Sequence, residues 1–294
     1  MAGIFTQLPP DTKVYGQVPS LYGINNNTRN DTNKVIVLNF YDNPKSQFTV
    51  VKPILDKYGF KASFFVVCNW AGSSDKRMSW QDIMSLQNEN QDIESHTMSH
   101  RNLNNLSSSE LTYEVAQSKK CLADHGIKAS VFAPPHGKDW KNATVIDTIS
   151  KYYDLATGGF SELMFLHCDG YKTYSSQTDC RTYFDNGTLT FVNRYSIREW
   201  SHNAADVAFS SNASKIFEKF VEEIRDQTNS STGRTLNAIP IIAYHSIDNN
   251  KTRDSTGVNL FAEEMKYLHD NGFKLLTMSD LGFNENGNYL YIKK

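Results

Sequence analysis

The feature of this sequence that most constrains its fold is a repeated alternation of strand-like and helix-like segments. The apolar, β-branched and aromatic runs KVIVLNFY (34–41) and KASFFVV (61–67) predict two strands. The segment between them has a helical pattern that stops at a glycine, as helices commonly do. The same alternation continues through residues 79–157 and 214–281. Strands and helices that alternate in this way form a largely parallel sheet covered by helices.

The alternation extends over most of the 294 residues, and no segment within it has the composition of a linker. Residues 1–33 lack periodicity and are predicted to form an N-terminal arm. Residues 160–187 are predicted to be an irregular insert. We therefore expect one α/β domain over residues 34–294, folded either as a barrel or as a doubly wound layer.

Charge and hydropathy exclude two classes of partner. The formal net charge is −2, so the excess of basic residues expected of a nucleic-acid-binding protein is missing. No apolar run reaches the roughly 18 to 20 residues that a membrane span requires. The sequence therefore predicts neither a nucleic-acid partner nor a transmembrane helix.

The number of potential glycosylation sites indicates a secreted protein. The first residues have neither the basic start nor the apolar stretch of a signal peptide, so we expect the signal to have been removed. The alternative is that a sequence rich in asparagine produces acceptor triplets by chance. The eight Asn-x-Ser/Thr acceptors are Asn26, Asn30, Asn105, Asn142, Asn186, Asn212, Asn229 and Asn250.

The four cysteines are compatible with an oxidising compartment. Cys168 and Cys180 flank a short polar stretch without periodicity, and we predict a disulfide between them. Cys68 ends an apolar run and Cys121 lies in a helical pattern. Either of these two could be bridged or could be a buried free thiol.

Polar residues follow four of the predicted strands, where parallel α/β folds carry their functional sites. These clusters are NFYDNP (39–44), SHTMSH (95–100), APPHG (133–137) and AYHSI (243–247). One aspartate and two histidines at such positions make a three-ligand set with open coordination sites, which a divalent metal ion can use to activate water. Taken alone, two histidines four residues apart are more often non-functional, and an aspartate after a strand is as often a turn former.

The motifs around these clusters resemble a known family. The run VIVLNFYDNPKSQFTVVKPILDKYGFKASFFVV, followed by DIESHTMSHRNLNNLS, is similar to the polysaccharide deacetylase (chitooligosaccharide deacetylase homology) domain of carbohydrate esterase family 4. The resemblance extends from about residue 34 to residue 281, includes FAPPHG, NRYSI and IPIIAYHSI, and is closest to secreted archaeal members. It implies an α/β fold in the form of a distorted (β/α) barrel with fewer than eight regular strands.

The resemblance also implies a metal site and a reaction. By matched position the metal ligands are Asp42, His96 and His100, and the general acid is His245. The ion is expected to be Zn²⁺, with Co²⁺, Ni²⁺ and Mn²⁺ as alternatives. In the family's reaction, metal-activated water removes an acetyl group from an N-acetylated sugar.

Further residues near the third motif are candidates for binding substrate. Pro135 and Gly137 belong to the motif that shapes one wall of the family's groove. His136 could face that groove or be a surface imidazole. Trp140 is the best placed of the four tryptophans to stack on a sugar ring, although for any one tryptophan core packing is the commoner role.

The sequence departs from the family pattern at two positions. The first motif usually has two adjacent aspartates, of which the first is the general base, whereas this chain has Tyr41 before Asp42. The third motif often begins with an arginine that orients the base, and here that position is Ala133. Some deacetylases have alanine there and keep the base, so the change at position 41 is the more serious one.

Three functions follow as hypotheses. The first is a metal-dependent deacetylase that acts on N-acetyl or O-acetyl groups of a cell-surface or extracellular polysaccharide and is weakened by Tyr41. The second is a catalytically impaired carbohydrate-binding protein on the same fold. The third is a metal-dependent hydrolase of a non-sugar amide.

Overall fold

The computed structural model describes residues 34–137, 142–160, 163–165, 194–195, 197–202, 213–225, 238–250, 252, 254–285 and 289–293. The predicted N-terminal arm, most of the predicted insert, Trp140 and the predicted Cys168–Cys180 bridge lie outside these residues. That bridge therefore stays a prediction, which peptide mapping without reductant would check.

Seven parallel strands close into a barrel in the described part of the chain. The strand order is β1-β2-β3-β4-β5-β7-β8, and β8 pairs in turn with β1. The strands in chain order are Val35–Tyr41 (β1), Ser63–Val66 (β2), Asp92–Ser95 (β3), Val131–Phe132 (β4), Leu155–Phe160 (β5), Leu163–Phe165 (β6), Ile197–Ser201 (β7), Ala238–Tyr244 (β8), Ser246–Ile247 (β9), Ser255–Thr256 (β10), Lys274–Leu276 (β11), Leu281–Asn284 (β12) and Tyr289–Ile292 (β13).

The barrel is distorted by the strands that do not belong to this ring. β11 pairs in parallel with the first half of β1, while β2 pairs with its second half. β6 runs antiparallel to β8, within the segment that the sequence predicts to be irregular. The expected distorted (β/α) barrel with fewer than eight regular strands is thus confirmed.

Helices cover the outside of the barrel, and their ends have identifiable causes. α2 begins with a capping box between Ser79 and Asp82. The run SSSE (107–110) of the sequence predicts a second capping box between Ser107 and Glu110, and this capping box begins α3. α1 ends at Gly59, which has a φ of 67°. The described helices are Lys52–Tyr58 (α1), Trp80–Asn88 (α2), Ser108–Thr112 (α3), Ser118–Asp124 (α4), Ala143–Ser150 (α5), Ala213–Arg225 (α6) and Val258–Asp270 (α7).

Alternation along the strands separates two buried clusters. In β1, Ile36, Leu38 and Phe40 pack in the larger cluster with the helices, whereas Val37 and Tyr41 pack in the smaller cluster inside the barrel. Inward-pointing side chains near the ends of the strands therefore form the floor of any site at the mouth of the barrel.

One predicted strand is only partly described. The sequence predicts a strand over TLTFVNRYS (188–196), of which residues 188–193 and 196 lie outside the described residues. Residues 194–195 lie in a 3₁₀ turn, and the described strand β7 begins at Ile197. Within β7, Ile197 packs inside the barrel and Trp200 packs in the outer cluster with the helices, which fixes the register of this strand.

Two further findings bear on the chain's environment. Cys68 and Cys121, whose state the sequence leaves open, form a disulfide. No described helix is long and apolar enough to cross a membrane.

Candidate metal centre and catalytic pocket

The first component of the site is the segment that follows β1. Asp42 comes directly after the strand, with a φ of 73°, and Asn43 has a φ of 41°. The Asn43 amide holds this turn because it donates to the Val67 carbonyl (3.1 Å) and accepts from the Val67 N–H (2.9 Å) at the end of β2. The Asp42 carboxylate is thereby fixed at the mouth of the barrel.

The two histidines lie in a loop that follows β3. Thr97 and His100 also have positive φ values, 72° and 62°. The loop is held by the buried carboxylate of Glu114, which accepts from the N–H groups of Met98 (3.0 Å) and Ser99 (2.9 Å). Backbone strain of this kind costs on the order of 1 to 3 kcal/mol per residue and persists where surrounding contacts over-determine it.

Asp42, His96 and His100 converge on one point. Asp42 Oδ1 lies 3.4 Å from His96 Nε2 and 3.1 Å from His100 Nε2, and the three ligand atoms lie within 4.8 Å of one another. The His96 Nδ1 atom is 2.7 Å from the Ala133 carbonyl oxygen, which assigns the ring proton to Nδ1 and leaves Nε2 for a metal ion.

These residues fit a divalent cation on the chemistry of their atoms. Asp42 Oδ1 is buried and has no hydrogen-bond partner of its own. Burial alone would raise the pKa of the Asp42 carboxyl, but His100 and His96 hold it well below its usual range. Burial also lowers the pKa of His96, which favours the neutral imidazole. An ionised carboxylate and a neutral imidazole are the forms that ligate metals.

The position expected for the general base carries a different arrangement. The Tyr41 side chain points into the barrel, and its ring stacks on Phe65 with centroids 4.9 Å apart. Its hydroxyl donates to Glu199 Oε2 (2.6 Å) and lies 3.4 Å from Thr157 Oγ1, and Asn39 Nδ2 donates to the same Glu199 oxygen (3.1 Å). The Tyr41 hydroxyl is therefore held by a carboxylate from β7.

The environment inside the barrel shifts both partners of this pair toward their protonated forms. Burial, reinforced by the neighbouring Glu199, raises the pKa of Tyr41 well above its usual value. Burial also raises the pKa of Glu199 to about 7, against the hydrogen bonds from Tyr41 and Asn39 that lower it. The phenolate form of Tyr41, which could accept a proton, is thus scarcer here than it would be in water.

His245 follows β8 on the other side of Tyr41. The centroid of the Tyr41 ring lies 5.6 Å from that of the His245 ring and 5.2 Å from that of the His96 ring. The buried Gln47 side chain donates to the carbonyl oxygens of Tyr41 (2.6 Å) and His245 (3.2 Å), so it joins the ends of β1 and β8. Burial lowers the pKa of His245.

The structure places part of the predicted groove wall beside the candidate metal ligands. The exposed His136 ring packs edge-on against His100, with centroids 4.9 Å apart, and its backbone φ is 65°. Pro135 precedes it and is buried, and Gly137 completes the turn. Trp140 lies beyond the described residues, so its predicted contact with a sugar stays a prediction.

Comparison with known protein families supports the resemblance drawn from the motifs. Residues 28–154 match the family model for polysaccharide deacetylases. No curated protein is significantly similar to the chain in sequence. The resemblance to polysaccharide deacetylases that the motifs of the chain indicate is thus confirmed over these residues. The match includes the three candidate ligands, whereas Glu199 and His245 lie after it.

Solved structures share the fold. The Xyl-CE4 domain of a multidomain xylanase from the hindgut metagenome of Trinervitermes trinervoides is 17% identical, with 84% of this chain and 88% of that chain covered and a TM-score of 0.54. A family 4 acetyl xylan esterase from Clostridium thermocellum, in complex with a cobalt ion, is 18% identical, with 84% and 89% covered and a TM-score of 0.53. A mutant of a CE4 family pseudoenzyme with restored enzymatic activity is 14% identical, with 84% and 67% covered and a TM-score of 0.52.

Proposed function

We propose that this chain is a metal-dependent deacetylase that removes N-acetyl or O-acetyl groups from an extracellular or cell-surface polysaccharide. The observation that carries this proposal is the convergence of Asp42, His96 and His100 at the barrel mouth, with His245 on the adjoining strand end. The match of residues 28–154 to the family model for polysaccharide deacetylases supports it. Two imidazoles and one carboxylate suit Zn²⁺, with Co²⁺, Ni²⁺ and Mn²⁺ as alternatives.

Each residue has a part in this proposal. Asp42, His96 and His100 would hold the cation, which supplies Lewis acidity to polarise the acetyl carbonyl and to acidify water. His245 would protonate the departing amine or alkoxide, and its lowered pKa makes it the stronger proton donor. Pro135, His136, Gly137 and Trp140 would line the groove for the glycan.

We further propose that turnover is weak in this form. The Tyr41 hydroxyl donates its proton to Glu199 and has a raised pKa, so it is a poor acceptor for a proton from water. A catalytically impaired carbohydrate-binding protein is therefore the second candidate. The likeness in fold to a CE4 family pseudoenzyme supports that alternative.

We also propose that the protein is secreted or displayed at the cell surface. The Cys68–Cys121 disulfide supports this, because disulfides persist in oxidising compartments. Two of the predicted glycosylation sites, Asn105 and Asn250, are exposed. Glycopeptide mapping of protein secreted from a glycosylating host should find both of them modified.

The deciding experiment is acetate release by the zinc-loaded protein from N-acetylated chitooligosaccharides and from acetylated xylan. Release that is slow but abolished in His96→Ala would support the deacetylase. Binding of either glycan without release would support the carbohydrate-binding alternative. If the protein neither binds nor deacetylates these glycans but hydrolyses a simple non-sugar amide, both the deacetylase and the carbohydrate-binding proposals are overturned.

A further inference from the structure

The loop between β2 and α2, residues 68–79, runs alongside the segment that carries Asp42. Arg77 and Pro44 form an antiparallel bridge, and the Met78 N–H donates to the Asn43 carbonyl (2.9 Å). The backbone of Arg77 is thus fixed next to a candidate metal ligand by main-chain contacts that do not depend on its side chain.

The Arg77 side chain makes two contacts in this position. Its Nη1 donates to the main-chain carbonyl of Asp42. Its guanidinium carbon lies 4.0 Å from the centre of the Trp70 ring, the geometry of a cation–π contact. The guanidinium is half-buried, and burial lowers its pKa against the attraction of Asp42.

Trp70 continues the chain of contacts to a second ligand. Its ring centroid is 4.8 Å from that of His100, with 31° between the planes. The neighbouring Asn69 N–H donates to the Met98 carbonyl (2.8 Å) inside the histidine loop. Arg77 and Trp70 therefore connect the main chain of one candidate ligand to the imidazole of another.

We propose that Arg77 and Trp70 are positioning residues of the metal centre, which act as one stacked bridge that holds Asp42 and His100 in ligating geometry. Both of these ligands have a positive φ, a backbone conformation that contacts from outside must stabilise. A guanidinium beside a cation site also repels the cation. For Arg77 to favour metal binding, the gain from holding the two ligands in ligating geometry must therefore outweigh this repulsion. The inference rests on the metal binding of the proposed function and not on turnover.

The test measures the affinity of the protein for Zn²⁺ by competition with a chromophoric chelator. Arg77→Lys keeps the positive charge but loses the planar contact with Trp70, and Trp70→Leu removes the other half of the bridge. Each should weaken Zn²⁺ binding by roughly 10- to 100-fold, the usual effect of residues that support metal ligands. The double variant should bind Zn²⁺ only slightly more weakly than the weaker-binding of the two single variants, because the bridge acts as one unit.

An arginine and a tryptophan elsewhere in the chain provide matched controls. Arg101 directly follows His100 but is exposed and pairs with Glu110 (3.0 Å), so Arg101→Lys should leave affinity unchanged. Trp80 stacks on His125 (3.6 Å), so Trp80→Leu should alter thermal stability without altering affinity.

The outcomes separate this inference from the proposed function. If the unmodified protein binds no Zn²⁺, the metal centre itself is wrong and this inference falls with it. If the unmodified protein binds Zn²⁺ and Arg77→Lys and Trp70→Leu bind it as tightly, the inference alone is overturned. A drop in thermal stability of both variants without a loss of affinity would also overturn it, because that result indicates a merely structural role.

Discussion

The two halves of the candidate pocket differ in how well they suit the proposed chemistry. On the ligand side, Asp42, His96 and His100 have the residue types, the ionisation and the geometry that a divalent cation needs. On the base side, a buried tyrosine hydroxyl donates to Glu199 where a free carboxylate would be expected. The metal-binding and proton-accepting functions of such a pocket are therefore structurally separable.

The difference has a physical origin in how each half is held. The ligands are fixed by strained turns and by short-range hydrogen bonds, such as the one from the His100 N–H to Thr97 Oγ1 (2.8 Å). Tyr41 is fixed by ring stacking on Phe65 and by Glu199, which is 158 residues away in the chain. A change at position 41 can therefore leave the ligand geometry intact.

The largest expected effect is on the ligand side. His96→Ala should abolish binding of the one divalent ion that we expect per chain, because it removes one of three protein ligands. Metal content after dialysis measures this, and His125→Ala is the matched control, since His125 stacks on Trp80 and is not one of the three candidate ligands. Full metal content in His96→Ala would show that the ligand assignment is wrong.

The next effect concerns the proton donor. His245→Ala should lower kcat by roughly 10² to 10⁴, the usual contribution of a positioned acid, while the metal stays bound. Steady-state kinetics on an acetylated oligosaccharide, with metal analysis of the same sample, measures both quantities. Unchanged turnover would remove His245 from the mechanism.

The smallest expected effect is on the stability of the base side. Because the pKa of Glu199 is raised from 4.5 to about 7, the folded state favours the protonated carboxyl. This contribution to stability is complete below pH 4.5 and is lost as the pH rises to about 7. Glu199→Gln should therefore match the unmodified protein at pH 4 and exceed its unfolding free energy by about 3 kcal/mol at pH 8.

Urea unfolding of the metal-free protein at the two pH values measures the change. Glu218→Gln, at an exposed position on α6, should show no such difference between the two pH values. Equal stability of Glu199→Gln and the unmodified protein at pH 8 would mean that Glu199 is ionised without cost, which contradicts the burial of its carboxyl inside the barrel.

The sequence is informative where structure depends on local pattern. The β1–α1–β2 unit and the Ser107–Glu110 capping box follow from periodicity and capping chemistry, and the structure confirms them. The three candidate ligands can be named because each follows a strand closely, although their roles stay predictions.

The sequence is uninformative where partners come from distant segments. It does not reveal Glu199, because the strand predicted over residues 188–196 ends before it, and only the inward alternation of Ile197 and Glu199 could have indicated it. Arg77 is not predictable, because a single charged residue in a loop has no local pattern. The Cys68–Cys121 disulfide cannot be chosen over free thiols, because pairing depends on the approach of α4 to the turn after β2.

Substitutions of Tyr41 test whether the base side limits turnover while the ligand side is intact. Tyr41→Asp restores a carboxylate at the base position at the expense of ring packing on Phe65, so the folded state of the variant is first checked by thermal unfolding. Tyr41→Phe is the matched control, because it keeps the ring and removes only the hydrogen bond to Glu199. Metal content should be the same in all three forms.

The deciding measurement is acetate release by the three zinc-loaded forms on one acetylated oligosaccharide. We expect weak release by the unmodified protein and by Tyr41→Phe, and an increase of roughly 10²-fold or more in Tyr41→Asp, the usual contribution of a general base. Turnover by the unmodified protein at ordinary enzyme rates, about 1 to 10³ s⁻¹, with no gain in Tyr41→Asp, would contradict a limiting base side.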